Sequence, residues 1–227
     1  MSMTTIVRRL IALSFLILFS AAAGIAKASE VKVMISGGLA AAYKELVPQF
    51  ERATGNTVVT AYGPSMGTTE NAIPVRLARG EAADVLIMVG DALDAMIEQG
   101  RAGAANRVDL VRSPIGMVVR AGAKKPDIST PTALKQTLLN AKSVVYSDSA
   151  SGVYVGTQLF KRLGIAEEMK DKARMIPAEP VAAVVARGEA ELGFQQISEL
   201  LPVPGADLVG PLPTEMQKIT IFSASIT

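Results

Sequence analysis

Three stretches of the sequence combine glycine with hydroxyl side chains directly after a β-rich run. They are Ser36-Gly37-Gly38, Gly63-Pro64-Ser65-Met66-Gly67-Thr68-Thr69 and Ser147-Asp148-Ser149-Ala150-Ser151-Gly152. Glycine lets a backbone approach a ligand closely, and hydroxyls donate hydrogen bonds. Each stretch also opens onto a helical pattern, whose first N–H groups and dipole favour negative charge. The chemistry such turns can do together is to solvate an anion with uncharged donors. Taken singly, each turn is equally an ordinary cap, because Ser, Thr and Gly are what helix starts require. The turn at Gly63–Thr69 lacks the lysine of a nucleotide-binding phosphate loop.

Positioning such turns requires strands that end where helices begin, and the hydrophobic pattern supplies them. Strand-like runs at Val31–Ile35, Thr57–Tyr62 and Asp84–Val89 alternate with helical spacing at Leu39–Thr54, up to Gly80, and at Ala92–Gln99. Pro48 is expected to kink the first helix, and Gly55 to end it. Further strands are expected at Ile115–Arg120, Ser143–Tyr146, Glu191–Gln195, Asp207–Val209 and Ile219–Ile226. Helices are expected after Ser129-Thr130-Pro131, a cap with a first-turn proline, and at Val153–Leu163 and Val181–Arg187. Alternation of this kind predicts a parallel α/β architecture, in two lobes with a cleft between them.

Composition narrows the function. Arg8 and Arg9, an apolar run from Leu10 to Ile25 of about 16 residues, and Ala26-Lys27-Ala28 form a leader pattern with cleavage expected after Ala28; a spanning helix needs ~20. The whole chain has 23 Lys+Arg and 21 Asp+Glu. Without Arg8, Arg9 and Lys27, 20 basic residues remain, a net charge of −1. With no Trp and no basic block, nucleic acid is not a partner. The absence of Cys removes disulfides and a lipid-modified anchor, and the absence of His removes imidazole metal ligands and Ser-His-Asp catalysis. No cofactor and no metal site are expected. The predicted organisation is a signal peptide at 1–28, lobe one at 29–111 with 218–227 returning toward it, and lobe two at 112–217.

Longer matches carry a family resemblance: Ser36-Gly37-Gly38-Leu39, Phe50-Glu51-Arg52-Ala53-Thr54-Gly55, Arg79 through Ile87, Pro177-Ala178-Glu179-Pro180-Val181, and Gly188 through Gly193. Through these the chain resembles the periplasmic molybdate-binding proteins, within the type II solute-binding proteins of ABC transporters. The resemblance implies a two-lobed α/β fold and an oxyanion held by serine hydroxyls, backbone N–H groups and a tyrosine. Residue by residue, the first serine position falls on Gly38, with Ser36 close by, and the second on Ser65. Backbone donors fall at Ser151 or Gly152 and at Val181, and the tyrosine position falls on Gln196. The candidate ligand-binding set is therefore Ser36, Gly37, Gly38, Ser65, Ser149, Ser151, Gly152, Val181 and Gln196. The Gln195-Gln196 pair, the serines from Ser147 to Ser151, and Asn71 and Arg76 beyond the second turn would suit a larger organic anion such as a carboxylate.

The resemblance implies a monomeric periplasmic capture subunit of an ABC-type uptake system. Its partners would be a small anion, molybdate-like or carboxylate, and an inner-membrane permease. An alternative on the same fold is an isomerase of an unsaturated tricarboxylate, similar to aconitate isomerase, for which Tyr154 or Glu179 would be the candidate bases. Relatives continue past the last strand with a helical segment over lobe one, whereas this sequence stops at Thr227; either the sequence is truncated or an apolar face there is expected to be partly uncovered.

Overall fold

Strand β1 (Glu30–Ile35) buries Val33, Met34 and Ile35 on both of its faces, as a central parallel strand does. The computed structural model describes residues 28–227. The leader expected at 1–28 lies outside the described residues except for Ala28. β1 pairs in parallel with β2 (Thr57–Tyr62) on one side and β3 (Val85–Val89) on the other. Between them run helices α1 (Gly37–Thr54) and α2 (Ile73–Ala78), and α3 (Gly90–Glu98) follows β3. α1 runs on through Pro48 to Gly55, which takes a left-handed conformation with φ 73° and returns its N–H to the Glu51 carbonyl. The chain then adds β4 (Val108–Ser113), and the last strand, β10 (Thr220–Ile226), inserts between β3 and β4. The first sheet reads β2-β1-β3-β10-β4.

The second sheet is built from β5 (Ile115–Arg120), β6 (Val144–Ser147), β7 (Ala173–Ile176), β8 (Leu192–Gln196) and β9 (Ala206–Pro211), in the order β7-β6-β8-β5-β9. Helix α4 (Pro131–Asn140) starts where Thr130 accepts a hydrogen bond from Ala133 N–H at 3.1 Å. A helical run follows β6 as α5 (Ala150–Tyr154), a wide turn at Val155–Leu159 and α6 (Phe160–Arg162). Short helices α7 (Ala166–Met169), α8 (Val181–Ala186) and α9 (Ile197–Leu200) complete this lobe.

Both sheets are mixed rather than wholly parallel. β10 lies antiparallel to β3 and β4, and β5 antiparallel to β8 and β9. The reason is connectivity: the chain crosses between sheets at Pro114 and again over 212–219, so β5 and β10 enter their sheets from the opposite end. β4 and β7 lie outside the strand-like runs of the sequence, because Asp109 and Arg112, like Arg174, interrupt the apolar pattern of these exposed edge strands. Each sheet is covered on both faces. In the first, Met34, Leu86, Met88 and Leu93 pack on one side and Val33, Ile35, Tyr43 and Ile87 on the other. In the second, Ile115, Met117, Leu134 and Phe194 oppose Val118, Val145, Val181 and Val185. On the first lobe Leu46, Phe50, Val108, Leu110 and Ile226 are exposed. No helix among the described residues is long and apolar enough to cross a membrane.

Candidate functional site

The first wall of the site is the N-terminus of α1. Ser36 sits at its N-cap in extended conformation, yet its hydroxyl makes no capping bond; Oγ is buried and has no hydrogen-bond partner among the described residues. Such an orphan is rare in a native fold, and a ligand acceptor would satisfy it. Gly37 and Gly38 follow because larger residues would collide. A Cβ on Gly37 would lie 2.0 Å from Glu199 Oε1, and one on Gly38 would lie 2.0 Å from Phe222 Cζ. Ser65 enters from the β2–α2 turn, 3% exposed, and its Oγ accepts the Val89 N–H at 2.8 Å. Its own proton remains free to donate.

The second wall follows β6. Ser147, Ser149 and Ser151 form a triangle of hydroxyls, with Oγ separations of 2.8, 3.1 and 3.4 Å. Asp148 does not cap the helix. Its Oδ2 accepts from Ala178 N–H at 3.0 Å, holding Ala178 at φ 55°, an uncommon conformation for a non-glycine residue. Gly152 has a packing reason, because a Cβ there would lie 1.6 Å from the Ser147 carbonyl oxygen. The Val181 N–H at the start of α8 donates to Gln195 Oε1 at 3.0 Å, in a buried contact.

Between the walls lies a cavity of about 580 Å³. Of the candidate residues, Ser36, Gly37, Gly38, Ser65, Ser149 and Gln196 line it. Ser151, Gly152 and Val181 do not; they stand behind Ser149 and Gln195. Gln196, 1% exposed, serves the chain crossing instead of projecting freely. By its partners, its amide oxygen accepts from Thr220 Oγ1 at 2.7 Å and its nitrogen donates to the carbonyls of Ser113 (3.0 Å) and Pro114 (3.2 Å). Arg76 lies outside, ion-paired to Glu81, while Asn71 lines the cavity. Tyr154 is likewise outside: its hydroxyl donates to the Met216 carbonyl at 2.7 Å and accepts from Arg162 at 2.8 Å. Glu179 lines the cavity but pairs with Arg187 at 2.6 Å.

The residue that sequence reasoning missed is Glu199. It lies at the third position of α9, three residues after the Gln196 cap, where a glutamate reaches back to the cap N–H. That bland role hid it; the Gln195-Gln196-Ile197-Ser198-Glu199 spacing was the available signal. The Gln196 N–H and the Gln195 side chain hydrogen-bond its carboxylate, which rests against Gly37 across the cavity. Burial pushes its pKa up from 4.5 to about 7, with the Asp148 charge adding, against the lowering effect of those two hydrogen bonds. The lining also holds Glu45 and Lys44, whose ammonium sits 5.3 Å from the Tyr62 ring centroid. No group of acidic residues among those described could hold a metal ion.

The arrangement is hydroxyl and backbone donors, one cation and one carboxyl poised near neutral pH. Comparison with known proteins gives the family. The chain is 54% identical over 198 residues to aconitate isomerase of a Pseudomonas species, covering 87% of this chain and 76% of that protein. It is 27% identical over 180 residues to the molybdate-binding protein of Azotobacter vinelandii, covering 77% and 68%. The structure of the periplasmic molybdate-binding protein of that organism superposes with a TM-score of 0.65 at 20% identity, over 87% of this chain and 85% of the other. The model of the bacterial extracellular solute-binding proteins matches residues 31–227. Over nearly its whole described length, then, this chain is a member of the bacterial extracellular solute-binding protein family.

Proposed function

We propose that the cleft binds a small unsaturated tricarboxylate and moves a proton along it, as an aconitate-type isomerase. The observation that carries this reading is Glu199, a carboxyl in the cleft lining with a pKa near 7. A general base is most effective with its pKa near the working pH, and it must stand within reach of the proton it removes. Capture alone requires no such group. The 54% identity to an aconitate isomerase supports the same choice.

In the proposed step, the Glu199 carboxylate takes a proton from the substrate's methylene carbon. The electron pair spreads over the allylic unit and its carboxylates. The carboxyl then returns the proton to the former vinylic carbon, so the double bond has moved and no proton is consumed. Ser36, Ser65 and Ser149, with the N–H groups opening α1, would donate to the substrate carboxylates, and Lys44 would take one of them. Donors fixed in place stabilise the delocalised anion more than the ground state when they face where charge gathers.

A second reading, a carrier feeding a membrane permease, is favoured by the similarity to molybdate-binding proteins and by lobes joined through two crossings. In either case the leader at 1–28 would export the protein to the periplasm. Incubating the full chain with trans-aconitate and following the cis isomer tests the choice. Accumulation of cis-aconitate supports the isomerase; tight binding of molybdate or aconitate without interconversion establishes the carrier.

A further inference from the structure

Phe222 is buried, 3% exposed, yet it belongs to none of the four apolar clusters that cover the sheets. Its ring forms part of the cavity lining instead. It stands on β10 opposite Val89 of β3, whose N–H is the one held by Ser65. The register of β10 against β4 shifts between Phe222 and Ser223. Bulges of this kind re-aim a side chain beside a site. The outer edge of the ring, Cζ, Cε1 and Cε2, occupies the space where a side chain at position 38 would begin, 2.0, 2.7 and 2.4 Å from its Cβ. A hydroxyl at position 38 and the Phe222 ring therefore exclude each other.

We propose that Phe222, paired with Gly38, is the specificity-determining floor of the cleft. It replaces a hydrogen-bond donor with carbon, and so selects ligands having a hydrocarbon body over compact tetrahedral oxyanions. A tetrahedral oxyanion needs donors on every side, and an oxygen turned to this ring would be desolvated with no hydrogen-bond donor to receive it. The carbon spine of a polycarboxylate buries apolar surface at the same place while its carboxylates reach Ser36, Ser65 and Ser149. The inference rests on the tricarboxylate reading and adds the residue that sets its selectivity.

Titration calorimetry with sodium molybdate, trans-aconitate and the saturated tricarballylate tests this on the full chain. The proteins are wild type, Phe222→Leu, Phe222→Ala and the Gly38→Ser, Phe222→Ala double variant, each with its fold checked by circular dichroism. Wild type should bind a tricarboxylate and leave molybdate unbound. Phe222→Ala should weaken the tricarboxylate about tenfold and Phe222→Leu by less, while the double variant gains molybdate by at least about tenfold. Unchanged tricarboxylate affinity in Phe222→Leu and Phe222→Ala, or tight molybdate binding by wild type, overturns the floor. Should the alanine variants fail to fold, Phe222→Leu decides alone: a tricarballylate affinity equal to that of wild type overturns the proposal. Tricarballylate binding with no turnover of trans-aconitate would sink the isomerase reading and leave the floor standing.

Discussion

At the scale of the residue, Ser65 and Glu199 face the cavity from opposite lobes. Ser65→Ala removes a donor to the ligand and also orphans the buried Val89 N–H. Ligand affinity should fall by about 1–3 kcal/mol, with a loss of stability of similar size, readable by calorimetry and by urea denaturation. An unchanged affinity would remove Ser65 from the site. For Glu199 the sign of the pH effect follows from its raised pKa. The folded protein keeps this proton up to about pH 7, whereas the unfolded chain releases it near 4.5. The folded state thus binds more protons between those values, and its contribution to stability is lost as pH rises through that window. Wild type should lose more melting temperature than Glu199→Gln between pH 5 and 8, compared protein by protein. A polyanionic ligand should bind more weakly as pH rises through about 7, and less steeply so in Glu199→Gln. The nine candidates read from sequence divide by whether they line the cavity, as Gly37, Gly38 and Gln196 do along with three serines. Ser36, Ser65 and Ser149 reach the cavity, while Ser151, Gly152 and Val181 support it from behind. Sequence could not make that division, because a hydroxyl facing a neighbour and one facing a cleft have the same spacing.

At the scale of the element, the strands and long helices were legible because their signals are local. β2 and β5 fall at the expected residues, and Ser129-Thr130-Pro131 opens α4 with Thr130 as the bonded cap. Thr130→Ala should cost about 1 kcal/mol, measured by urea denaturation. Gly152→Ala should cost more, since its Cβ would meet the backbone of Ser147 and not a movable side-chain tip. Equal costs would contradict the tight packing of α5 on β6. Signals that depend on distant partners were not legible. The antiparallel insertion of β10 depends on chain crossings, and Gly38 reads as a missing hydroxyl until Phe222 is seen to fill its place. The edge strands β4 and β7 carry too much charge for the pattern to declare them.

At the scale of the whole molecule, the two sheets meet through crossings that are hydrogen-bonded to each other. Gln217 accepts the Ile115 N–H at 2.8 Å and donates to the Ile115 carbonyl at 3.0 Å. Ser198 in the second lobe donates to the Gly38 carbonyl in the first at 2.6 Å. In this arrangement Glu199 of the second lobe rests against Gly37 at the start of α1 in the first. The proposed isomerase would have its base, Glu199, at that junction between the two lobes. The most direct test is the rate of trans-aconitate isomerisation at pH 7.5 by wild type and by folded Glu199→Gln. The amide keeps the size of the carboxyl and cannot accept the proton. A fall in kcat of about a hundred- to ten-thousandfold, with trans-aconitate still bound, is the predicted result. A Glu199→Gln protein that turns over at the wild-type rate, or a wild type that binds trans-aconitate and never converts it, would contradict the account.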